Sequence, residues 1–124
     1  MYAGLEQVPD YVSIYEYFIV TAKGERLKIN PSRLFPSNGR GYRRMSNKLI
    51  HTCRAYAKAS QKGVGLEEAK EPLMDLMRAL GSQFQQKYPE HEVKSVQIEH
   101  YRVAWKEADS LLEEDRALFL EITI

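Results

Sequence analysis

The sequence predicts an α+β fold in two layers: a small antiparallel sheet, with elements in the order β-β-α-α-β-β, and a helical pair packed on one face. Three observations predict it. Segments rich in aromatic and β-branched residues lie toward both ends of the chain, two apolar patterns of helical period fill the middle, and turn residues separate them. With 124 residues, 44% hydrophobic and 28% charged, and a mean hydropathy of −0.49, the chain reads as one soluble domain, 1–124.

Residues 11–22 are dominated by Tyr, Ile and Val, types that suit a pleated, half-buried surface. Lys23-Gly24 supplies a tight turn, because Gly24 can take a positive φ. The next stretch alternates, with Leu27 and Ile29 on one face and Arg26 and Lys28 on the other. This predicts a β-hairpin, stopped at Asn30-Pro31 because Pro31 has no N–H to donate. Residues 31–46 read as a long loop, given two prolines, two glycines and the Asn38-Gly39 pair. Tyr15 and Tyr17 share one strand face. They form an exposed aromatic patch if that face is uncovered, and ordinary sheet packing if it is not.

A helix is predicted from Ser46 or Asn47, both good N-caps, to about Gln61, with Gly63 beyond its end. Leu49, Ile50, Cys53, Tyr56 and Ala57 make its buried stripe. Residues 66–87 carry the clearest helical period, through Leu66, Ala69, Leu73, Leu76, Met77, Leu80 and Phe84. Pro72 lacks the amide a helix interior needs, so a short first turn and a main helix from about Glu71 are expected. Residues 92–105 read as a long strand. Its alternation changes parity between Val96 and Ile98 on one side and Tyr101, Val103 and Trp105 on the other, which predicts a bulge near Glu99-His100. Residues 106–116 read as an acid-rich connection with one helical turn at most. Residues 117–124 read as a final strand with Leu118, Leu120, Ile122 and Ile124 on one face and Phe119, Glu121 and Thr123 on the other.

The near-neutral net charge of +1 conceals a division. Residues 1–62 hold eleven Lys+Arg against four Asp+Glu, and residues 63–124 hold seven against thirteen. No acidic residue occurs between Arg26 and Leu66. Folded surfaces normally mix signs, because like charges repel. A carboxylate-free stretch therefore points either to an anionic partner or to pairing with the acidic half of the same chain.

The strongest candidate within it is the loop running from Asn38 through Gly39, Arg40, Gly41, Tyr42, Arg43 and Arg44 to Lys48. Glycines let backbone amides approach an anion, a helix N-terminus offers unpaired amides, arginines grip phosphate in bidentate fashion, and Tyr42 can stack on a base. Arg26, Lys28, Arg33, Arg54 and Lys58 would extend the footprint. A solvated loop whose arginines bridge to the acids near 107–115 is the plain alternative.

Other chemistry finds little purchase. There is no phosphate loop of the G-x-x-x-x-G-K-[ST] type and no G-x-S-x-G elbow. One cysteine and three scattered histidines give no zinc spacing, so neither metal nor cofactor is expected. His51 and Cys53 stand two apart on a helix and do not face each other. The longest near-apolar run, residues 17–22, is far too short to span a membrane, and the N-terminus shows no signal pattern; a cytoplasmic location is the expectation.

The chain therefore reads as a non-enzymatic binding module that docks an anionic partner, nucleic acid first, on the basic face of residues 26–62. One alternative is an adaptor that meets acidic protein surfaces, or a second copy head to tail, through complementary charged faces and sheet edges. Another is a binder of phosphate or a nucleotide at Arg40, Arg43 and Arg44.

Overall fold

The computed structural model describes residues 11–35, 44–107 and 110–124. Four antiparallel strands form one sheet: β1 (Tyr11–Thr21), β2 (Arg26–Ile29), β3 (Val93–Glu107) and β4 (Ser110–Thr123). Their order across the sheet is β2-β1-β3-β4. Three helices lie between β2 and β3 in sequence: α1 (Pro31–Leu34), α2 (Arg44–Lys62) and α3 (Leu66–Lys87). The fold is thus α+β with a four-stranded antiparallel sheet, and the expected element order gains one short helix, α1.

The first hairpin forms as its residues dictate. Gly24 has φ +88°, and its amide donates to the Thr21 carbonyl at 2.9 Å. Register runs from Tyr17 opposite Ile29 to Val20 opposite Arg26, so Leu27 and Ile29 face the helices. Chain direction then changes at Asn30. Its side chain accepts the Ser32 amide at 3.0 Å, and Pro31 begins α1, where its missing N–H costs nothing. The expected loop therefore starts with a helical turn, which buries Leu34. The Ser32 and Ser46 hydroxyls meet at 2.6 Å and tie α1 to α2.

The start of α2 precedes the predicted cap residues by two positions, at Arg44, and the helix ends where Gly63 takes φ +70°. Pro72 does not divide α3 in two. The helix runs continuously through it, with the proline on the exposed side.

The second hairpin is longer than predicted, and the acid-rich segment is strand rather than connection: Glu113 pairs with Val103 and Glu114 with Arg102. The segment pairs in register along β3, and a strand at the sheet edge with one solvated face accepts acidic residues. The parity change in β3 is resolved by register shifts between Ile98 and Glu99 and between His100 and Arg102, where a bulge was expected. Leu120 and Ile122 of β4 face the core as expected, but the same irregularity reverses the expected facing at Leu118 and Phe119. Phe119 packs edge-on against Tyr15 and Tyr56 on the helix side, while Leu118 is exposed.

The core lies between the helices and one face of the sheet. Leu49 and Cys53 of α2 and Leu73, Met77, Leu80 and Phe84 of α3 meet Tyr17, Ile19, Val96, Ile98 and Ile122. Each such large side chain contributes about 1.5–3 kcal/mol on burial. Tyr15 and Tyr17 stand on this covered face, so they are packing residues and not an open aromatic patch.

Candidate nucleic-acid interface

Strand alternation puts Arg26 and Lys28 on the sheet face opposite the helices, where neither is free. Arg26 pairs with Glu99 at 2.6 Å and donates to Gln97 at 2.8 Å. Lys28 pairs with Glu16 at 2.9 Å. Arg116 of β4 bridges the two acids, 2.8 Å from Glu16 and 2.6 Å from Glu99, and the Tyr101 hydroxyl donates to Glu16 at 3.0 Å. Burial pushes the Glu16 carboxyl up, but the hydrogen bonds from Arg116, Lys28 and Tyr101 outweigh it and bring the pKa down to about 2. This ladder crosses all four strands and neutralises two of the predicted cations within the chain.

Lys48, Arg54 and Lys58 lie on the other side of the molecule, exposed on α2. Among the described residues, no carboxylate pairs with any of them. Helix α2 contains no acidic residue, and Arg54, Lys58 and Lys62 follow one another at four-residue steps along one stripe. Arg33 is exposed on α1, and Arg44 opens α2. Arg40, Tyr42 and Arg43 lie outside the described residues. The predicted set is therefore divided: Arg26 stands on the ion-paired face, and Arg54, Lys58 and Lys48 stand on the helix layer.

Three of its members come together at two adjoining clefts beside the end of β2. The first, about 370 Å³, opens between β2 and the C-terminal end of α3. Leu27, Ile29, Leu34 and Phe84 give it apolar walls, and Arg33, Lys87 and His91 supply basic groups. Its described lining contains no carboxylate. The Lys87 ammonium donates to the Arg33 carbonyl at 3.2 Å, and both residues line the cleft. Tyr88, 38% exposed, tilts against Phe84 with ring centres 4.9 Å apart, and His91 lies 6.2 Å from Phe84 on the same cluster. His91 also stands 3.8 Å from Glu25 and 3.9 Å from Glu90.

The second cleft, about 380 Å³, lies across the β2–α1 junction, between β1 and α2. Ser46, Ile50 and Arg54, one stripe of α2, face Tyr15 and Tyr17 across it, and Glu16 is the one carboxylate in its described lining. The clefts share Lys28, Ile29 and Asn30 as a common ridge. Tyr17 is buried, and its hydroxyl meets no nitrogen or oxygen partner. Burial and the neighbouring Cys53 thiol both push its pKa upward.

Sequence reasoning missed Lys87, Tyr88 and His91. Tyr88 reads as the end of a helix, which it is: its amide donates to the Phe84 carbonyl at 2.8 Å. The visible signal is a basic and an aromatic residue side by side at a helix terminus, but only the fold sets them opposite Arg33, 54 positions away. Compared with models of protein families, with curated proteins and with solved structures, the chain matches none of them.

Proposed function

We propose that this protein is a non-enzymatic module that binds nucleic acid through its phosphates. The footprint runs from Arg33 and Lys87 at the first cleft, past Arg54 at the second, along Lys58 and Lys62 of α2. One observation carries the reading: the first cleft gathers Arg33 and Lys87 around an aromatic floor with no carboxylate in its described wall. Unpaired cations gathered this way repel one another in the free protein, and a polyanion relieves that repulsion. Arginine at the rim also suits the planar, bidentate geometry of phosphate. Arg26 falls outside the footprint, because Glu99 already holds it. An adaptor with an acidic docking face draws less support, since Glu16, Glu99 and Asp115 are engaged by arginines of the same chain.

Fluorescence anisotropy with labelled oligonucleotides tests the reading. Affinity falls linearly with salt on logarithmic axes, and the slope shrinks by about 0.7–0.9 for each phosphate contact removed. Replacing Arg33, Arg54 and Lys87 by Ala should flatten the slope by two to three such steps while the melting temperature holds. Absence of binding, or binding indifferent to salt, overturns the proposal. Competition by millimolar inorganic phosphate would assign the site to a small anion instead.

A further inference from the structure

We infer that the partner is single-stranded, with one unpaired base stacked on Tyr88 in the first cleft and its neighbour seated in the second. The inference rests on the nucleic-acid reading above and adds which form of the polymer is bound. A duplex offers a protein phosphates and groove edges, and its base faces stay hidden in the stack. The first cleft offers the complement of an exposed base: the walls Leu27, Ile29 and Phe84 are apolar, Tyr88 presents a partly exposed ring, and the cations stand at the rim. Phosphates alone have no use for that floor. An unpaired nucleotide uses both parts, placing its flat apolar face on the ring and its charge on Arg33 or Lys87.

The second cleft repeats the arrangement. It has nearly the same volume, it lies directly across the Lys28–Asn30 ridge, and Arg54 supplies its cation. Base, phosphate, base is the repeating unit of a single strand, and cleft, ridge, cleft matches it. Beyond Arg54, the cations at 58 and 62 advance about 6 Å per step along α2, a spacing that a flexible backbone can follow.

The experiment compares a short oligodeoxythymidine and an oligouridine with the same lengths paired to their complements, at one salt concentration. Wild-type protein should bind the single strands more tightly than the duplexes. Tyr88→Ala should weaken single-strand binding at least about fivefold and leave duplex binding unchanged, whereas Tyr88→Phe, which keeps the ring, should bind as wild type. Ile50→Trp, which fills the second cleft from a half-exposed position, should also weaken the single strand only. Strands carrying 5-iodouracil should photocrosslink to Tyr88 or Tyr15. Equal binding of single and double strands, unmoved by Tyr88→Ala and Ile50→Trp, overturns this inference and leaves the phosphate-binding proposal standing. Failure of both forms to bind overturns the two together.

Discussion

Arg26 lays its guanidinium over the ring of Phe18, 3.6 Å from the ring centre, on the sheet face opposite the helices. Phe18 is only 8% exposed as a result, although it stands outside the helix-covered core. An arginine read from sequence as a partner-seeking cation is here a lid on a solvent-side aromatic, fixed by Glu99 and Gln97. Replacing Arg26 with Ala should cost about 1 kcal/mol in urea unfolding. Arg26→Lys should recover only part of it, because lysine lacks the flat surface that stacks. Full stability in the Ala variant would contradict this role.

The depressed Glu16 pKa predicts acid sensitivity. The group's folded pKa, about 2, lies below the unfolded value of about 4.3. Its contribution is complete above the unfolded value and fades as pH falls from there through about 2. Melting temperature should drop over that window in the wild type, and Glu16→Gln should be less stable at neutral pH yet lose less on acidification. Parallel acid profiles for the two proteins would remove the carboxylate ladder as a stabilising element.

Cys53 is fully buried, and burial pushes its thiol up to about 12. At pH 8 a thiol reagent should therefore react only as fast as the protein opens, and denaturant should restore the rate of a free thiol. Immediate reaction of the native protein would contradict the packing of α2 on the sheet.

Removing the Tyr17 hydroxyl should do no harm. A buried donor without a nitrogen or oxygen partner has already lost its hydration, so Tyr17→Phe is expected to be neutral or to gain about 1 kcal/mol. A loss of that size would reveal a partner for the hydroxyl.

Gly81, buried in α3, packs close against the sheet. A Cβ there would stand 3.1 Å from Val96 Cγ2 and 3.3 Å from Ile124 Cδ1. Gly81→Leu should destabilise by about 1–3 kcal/mol through overpacking. In Gly81→Ala, the helix-propensity gain of about 1 kcal/mol meets a contact that the exposed Ile124 can relieve by moving. Thermal unfolding of the pair should rank Ala well above Leu, and equal melting temperatures would mean that the helix and sheet have room to part.

Period and parity made much of the fold legible. Gly24 and Pro31 bound the first hairpin as their backbone chemistry requires, and the parity change around Glu99 and His100 gave the bulge. The 110–116 strand was hidden because acidity reads as loop, while a sheet with one solvated face accepts charge along an edge strand. The candidate site was less legible. Charge segregation located the cations, but side-chain direction decided which were neutralised: Arg26 and Lys28 turn toward Glu99 and Glu16, while Arg33 lines a cleft with Lys87, a residue that no local pattern connects to it.

Pro72 has one more effect. All five buried residues of α3, from Leu73 to Phe84, follow it, and residues 66–72 bury none. The proline also removes the backbone bond that would tie its own turn to Glu68. The outermost two turns of the helix are thus held by their remaining backbone bonds, the Ala69 amide to the Gly65 carbonyl at 3.1 Å among them, and by no buried side chain. They can fray and re-form while the segment beyond Pro72 stays seated, giving the longest helix an independent, easily melted cuff beside the cationic end of α2.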